Sequence, residues 1–146
     1  MNKSSKKTKR YERDHFDDGT WSSRYYQYGH WHGPNDVTLQ FNRETNRVSG
    51  KGMDDVGSYD IEGIFSLGEH KMGLTKTYRN GTGDLSENSG HSVTIQTTWN
   101  ENTNQFEGKW FVDTKHYRDD NKIEFKLQEQ PPPIYIDVAK IDERSF

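Results

Sequence analysis

Lys76 interrupts an otherwise apolar alternating run, Met72, Leu74, Lys76 and Tyr78. If that face looks inward, the ammonium is buried and must be paired or neutral. If the position lies near a rim, the four-carbon stem carries the charge out to water. Both readings stand on the residues alone. Tyr25, Gln27 and Thr97 are further polar candidates for an interior. Together with Tyr59, Tyr78 and Trp99 they would line an aromatic cavity with a few polar anchors, the usual make-up of a small-molecule site. The opposing expectation is an interior simply filled by its aromatic side chains.

Other chemistry is sparse. His30-x-His32 brings two imidazoles close together, yet no neighbouring acid or histidine completes a metal-ligand spacing, so surface-loop histidines and no metal site are expected. Asp54-Asp55 could form a carboxylate pair, but adjacent strand residues point to opposite faces and a turn role is the expectation. The chain holds no cysteine, which removes disulfides, zinc–thiolate sites, iron–sulfur ligation and thiol nucleophiles together. Nucleophile-elbow, phosphate-loop, dinucleotide and zinc-protease motifs are absent, so neither an enzyme nor a cofactor is expected, an active site dispersed over the barrel being the enzymatic alternative.

The elements that must position these residues follow from composition and period. Of 146 residues only 28% are hydrophobic, while 13% are Phe, Trp or Tyr. Leu, Ile, Val and Phe together number 25, and Ala139 is the sole alanine. Such a chain is poor in helix formers and rich in strand formers. From Gly19 to Gln128 the period is two, with turn residues at regular spacing.

A first strand is predicted from Thr20 to Tyr28, broken by Gly29-His30-Trp31-His32-Gly33-Pro34-Asn35. Val37, Leu39 and Phe41 then share a face, and Arg47 to Met53 follows. Tyr59, Ile61, Gly63 and Phe65 alternate next, then the Met72–Tyr78 run. After a long Gly/Asn/Asp-rich loop, Arg79 to Ser89, come Val93, Ile95, Thr97 and Trp99. Phe106, Gly108, Trp110 and Val112 precede Ile123, Phe125 and Leu127.

Eight strands with short connections predict an all-β fold, a single up-and-down antiparallel β-barrel, with a β-sandwich as the other option. A barrel of this size either fills with side chains or holds one small ligand. Gly50, Gly52, Gly63 and Gly108 fall on inward faces, where strong coiling and close packing suit glycine.

Three segments carry a resemblance. Gly19-Thr20-Trp21 resembles the Gly-x-Trp signature of calycins, the lipocalin and avidin superfamily. Val93 to Trp99, a polar turn and Phe106 to Asp113 (with Gly108 and Trp110) are similar to a hairpin of avidin-like proteins. Gly50 to Gly63, including Gly52 and Gly57, resembles a recurrent signature of calycin-like modules in eukaryotic proteins, extended by Lys76-Thr77-Tyr78. The resemblance spans roughly residues 19–128. It implies a closed barrel whose tryptophan, here Trp21, plugs one end. The polar residues by which avidins hold biotin find no position-by-position match.

The flanks differ in character. Residues 1–18 are expected as a disordered basic tail: the first 13 carry six Lys/Arg and one Glu, and the remainder of the chain carries 14 basic and 22 acidic residues. That tail is either a solubilising extension or a nuclear-localisation or polyanion-binding arm. The barrel lacks a matching basic stripe, so nucleic-acid binding is expected of the tail alone.

Residues 129–146 form a Pro-rich tail in which Pro132, Pro133 and Tyr135 spell Pro-Pro-x-Tyr, the ligand signature of WW domains. The same stretch could instead be a spacer before a ninth strand. No apolar run is long enough to span a bilayer, and none marks a signal peptide; with zero cysteine, a cytoplasmic or nuclear location is the expectation. The leading functional expectation is a non-catalytic binding module holding a small apolar or aromatic ligand. The alternative is an adaptor with a filled barrel that recruits WW-domain partners through its tail.

Overall fold

The computed structural model describes residues 14–128. They form eight strands: β1 (Gly19–Gln27), β2 (His30–Asn42), β3 (Arg47–Met53), β4 (Ser58–Ser66), β5 (Lys71–Tyr78), β6 (Ser92–Asn100), β7 (Gln105–Asp113) and β8 (Arg118–Leu127). Each pairs antiparallel with its sequence neighbour, and β1 pairs with β8, so the sheet closes into an up-and-down barrel without free edges. Closure is the physical answer to a chain with too few aliphatics for two packed layers. Each strand needs only one inward face, and no edge needs protection. Among the described residues no helix is long and apolar enough to cross a membrane.

The predicted alternation survives almost intact. Val37, Leu39, Tyr59, Ile61, Phe65, Met72, Leu74, Val93, Ile95, Phe106, Trp110, Ile123 and Phe125 are all buried. Two expectations change. The stretch 29–35 does not break the sheet: β2 starts at His30 and runs through a cis Gly33–Pro34 peptide, with a register shift between Ser23 and Tyr25 on the partner strand. A bulge absorbs the proline, whose missing N–H would be costly only at a ladder position.

The second change concerns the N-terminal tail. Phe16, placed in that tail by the sequence reading, is 1% exposed and sits in the core. Its ring lies 4.8 Å from Phe65 and 5.2 Å from Phe106, centroid to centroid. Residues 14–18 therefore belong to the folded unit.

The two ends of the barrel differ. The β2–β3, β4–β5 and β6–β7 turns gather at one end with residues 14–18, and there the interior is solid. Trp21 is fully buried, and its indole N–H donates to the Asp17 carbonyl at 3.0 Å. Asp18 accepts from the Phe41 amide at 2.7 Å, and Arg43 donates to the Phe16 carbonyl at 2.6 Å. The opposite end carries the other four loops, and there the barrel is hollow.

Candidate ligand-binding site

The hollow end holds a cavity of about 450 Å³. Its walls are Val93, Val112, Trp110 and Ile123 from β6, β7 and β8, with Val56 from the β3–β4 turn. Polar groups come from Tyr25, Gln27, Lys76 and Tyr78, and the rim from Glu87, His91, Lys115, His116 and Tyr117. Lys76 resolves the open question of its facing. It lies opposite Ile61 on one side and Val93 on the other, and it is 6% exposed.

A cation so placed needs a counter-charge, and Asp54 supplies it from the β3–β4 turn. Lys76 Nζ donates to Asp54 Oδ2 at 2.9 Å, and the Asp54 side chain is 4% exposed. Three tyrosine rings surround the ammonium: Tyr59, Tyr78 and Tyr25, with centroids 4.7, 5.1 and 5.3 Å away. Cation–π attraction strengthens when the partners are desolvated, as here. The Tyr78 hydroxyl also donates to Asp54 Oδ2, at 2.6 Å.

A second acid serves the adjacent wall. The Tyr25 hydroxyl donates to Asp55 Oδ1, and His32 Nδ1 meets Asp55 Oδ2 at 2.6 Å. The His32 ring stacks on Tyr25, with centroids 4.8 Å apart. Burial raises the Asp55 carboxyl, but the hydrogen bonds from Tyr25 and His32 outweigh it and hold the group below the ordinary carboxylate value. Burial first, and the hydrogen bond to Asp55 next, push Tyr25 far above the usual phenol range. Burial and the charge of Asp54 do the same to Tyr78 and Tyr59. The phenols are neutral throughout the physiological range.

Of the seven sequence-predicted ligand contacts, Tyr25, Gln27, Lys76 and Tyr78 line the cavity. Tyr59 stands behind Lys76 and faces its ammonium. Gly52 makes room for it, since a Cβ there would fall 2.6 Å from the Tyr59 hydroxyl. Thr97 and Trp99 do not reach the cavity. Strand β6 enters at the open end with Ser92 and leaves at the closed end, so Thr97 lies opposite Met72 and Gly108, and Trp99 opposite Phe106. His15 stacks on Trp99 at 3.8 Å, sealing that end.

The structure also corrects the reading of Asp54-Asp55 and of the histidines. Both acids are at a turn, as expected, but a reversing chain lets neighbouring side chains reach different elements. Asp54 points to β5 and Asp55 to β1 and β2. His32 is not a free surface histidine: its second ring nitrogen lies 3.0 Å from the Gln27 carbonyl. His30 stacks on it at 4.2 Å. Among the described residues no group of three or more His, Asp or Glu is placed to hold a metal ion.

The loop from Arg79 to His91 forms one side of the mouth. Asn88 is buried within it and donates to the carbonyls of Arg79 and Thr82, at 2.8 and 2.9 Å. Gly57 lets this loop approach, because a Cβ at that position would meet Asn88 Nδ2 at 2.7 Å and Thr82 Oγ1 at 2.8 Å. His91 lines the rim. Burial, and then the charge of Lys76, lower its pKa below the usual histidine value.

No protein-family model, curated protein or solved structure matches the chain. The site is therefore read from its own geometry. Trp110, assigned by the sequence to the barrel's framework, is also a cavity wall and donates its indole N–H to the Tyr26 carbonyl at 3.1 Å. Asp54 was the residue with a findable signal. An inward Lys demands an acid within reach, and Asp54 is the acid that the β3–β4 turn brings over Lys76. Pro132, Pro133 and Tyr135, and the basic residues before Asp14, lie outside the described residues.

Proposed function

We propose that this chain is a calycin-like binding module that holds a small, largely apolar or aromatic molecule in the open end of its barrel without transforming it. The carrying observation is the cavity of about 450 Å³, walled by valine, isoleucine and tryptophan on one side and ending on a pre-formed polar cluster on the other. Sites of this make-up and size take small ligands. Eight strands in sequence order, with Trp21 sealing one end behind Gly19, support the calycin-like assignment.

Binding is favoured over catalysis by the state of the inner polar groups. Acid–base chemistry near neutrality calls for a group whose pKa lies near the working pH. Tyr25 and Tyr78 are displaced far above it, and the Lys76 ammonium is tied to Asp54. These groups present fixed dipoles and charges, suited to orienting a guest.

Trp110 and Trp21 report on the two ends separately. Titration with small aromatic compounds should shift the indole N–H resonance of Trp110 and the methyls of Val93, Val112 and Ile123, saturably, while Trp21 stays still. Ile123→Trp should fill the cavity and abolish the shift, with the thermal transition confirming that the barrel still folds. Absence of any saturable response at Trp110 overturns the reading.

A further inference from the structure

Resting on that binding role, we propose that the guest is an uncharged aromatic molecule whose polar end is a hydrogen-bond donor, a hydroxyl or ring N–H, and that the site discriminates against carboxylates. The inference comes from counting what each inner polar group has left to offer. A phenol has one proton and lone pairs on one oxygen. Tyr78 has given its proton to Asp54 and Tyr25 has given its proton to Asp55. Both therefore face the cavity as acceptors only. Gln27 gives one of its two amide protons to the Tyr117 hydroxyl at 2.7 Å, and Tyr117 in turn donates to Asp119 at 2.9 Å. Their oxygens too remain as acceptors.

Among the described residues Lys76 is the buried cation that lines the cavity, Lys115 standing at the exposed rim, and the charge of Lys76 is already engaged. Asp54 holds it at 2.9 Å and the rings of Tyr25, Tyr59 and Tyr78 close around it. An incoming carboxylate would meet the Tyr25 and Tyr78 oxygens backed by the charges of Asp54 and Asp55, with only the second Gln27 N–H and the already paired Lys76 ammonium as inner donors to compensate its lost hydration. An incoming ammonium would meet Lys76. A hydroxyl or ring N–H meets the phenol oxygens with the complementary group and carries no charge to desolvate. The apolar walls, with Trp110 among them, accept the ring that bears it.

The test uses the full chain and four probes of one ring size: 2-naphthol, 2-methoxynaphthalene, naphthalene and 2-naphthoate, each followed at the Trp110 indole. Binding of 2-naphthol is expected to be about tenfold tighter than that of the other three, the value of one net hydrogen bond. The methoxy compound keeps the oxygen and loses only the donor, so its affinity should fall to that of naphthalene. In the Tyr25→Phe/Tyr78→Phe double variant the ratio of naphthol to naphthalene affinity should fall severalfold, with the thermal transition confirming that the barrel still folds. Equal binding of naphthol and its methyl ether in the wild-type chain overturns the donor assignment, whatever the variant does. Naphthoate binding as tight as naphthol overturns the exclusion of anions. Either result leaves the binding role standing, whereas no response to any of the four removes both.

Discussion

Lys76 and Asp54 show how one buried charge organises a site. Taking both ions out of water costs several kcal/mol each, and that cost is recovered only where geometry and extra hydrogen bonds are good. Asp54 meets the condition. One oxygen receives Lys76 and Tyr78, and the other accepts from the amides of Val56 and Gly57 at 2.9 and 3.3 Å. The same carboxylate thus neutralises the cavity's cation and shapes the turn at its mouth.

Asp54→Asn keeps the turn acceptor and removes the charge, so chemical denaturation should show a loss of about 3–5 kcal/mol. Lys76→Met should cost a similar amount by stranding Asp54. The double variant should cost clearly less than the sum, because neither charge is then left alone. Strict additivity in that cycle would show that the pair is not coupled.

At the scale of elements, the strands alone do not complete the fold. The segment 14–18 is laid over the closed end and anchored by backbone and side-chain bonds: Trp21 to the Asp17 carbonyl, Phe41 to Asp18, and Arg43 to both Asp14 and the Phe16 carbonyl. Phe16 fills the space among Phe41, Phe65 and Phe106. Phe16→Ala should therefore destabilise the protein by about 3–5 kcal/mol in denaturant titration, the range for emptying a buried phenylalanine site. A change under about 1 kcal/mol would mean that the segment does not hold the barrel. The mouth has its counterpart in the loop from Arg79 to His91, where Asn88 replaces the missing strand pairing with side-chain bonds to the loop's own carbonyls.

Over the whole molecule the division of labour is between a solid half and a hollow half. The aromatic half supplies stability, each fully buried large side chain contributing about 1.5–3 kcal/mol. The open half leaves part of that burial to a guest. Closure couples the two, since a barrel cannot lose one strand without exposing two new edges. A guest at one hundred times its Kd should raise unfolding free energy by about 2.7 kcal/mol. Amide exchange should slow in the core of all eight strands together, including positions around Trp21 that the guest does not touch. Protection confined to the mouth would argue that the halves unfold independently.

Much of this was open to reading from the chain alone, and the reason is the strand period. Alternation decides which residues share a face, so the inward sets on β3 to β8, the eight-strand count and the barrel all followed from residue types. Gly19 opens the first strand, and Trp21, two residues on, is buried at the closed end. Period two carries no information about position along the barrel axis, which is why Thr97 and Trp99 were grouped with Tyr25 although they lie at the other end.

Nor does periodicity describe turns and bulges. It missed the reach of Asp54 and Asp55, the passage of β2 through Gly33–Pro34 and the engagement of His32. Phe16 was lost because a single apolar residue beside a charged run has no period to belong to. The sequence by itself determined the faces, and with them the fold. Tertiary structure alone decided which inward residues meet, because that depends on register, on strand direction and on a closed circle bringing β1 against β8. Those long-range pairings put Asp54 over Lys76 and Asp55 beside Tyr25, and they leave one end of an aromatic barrel empty.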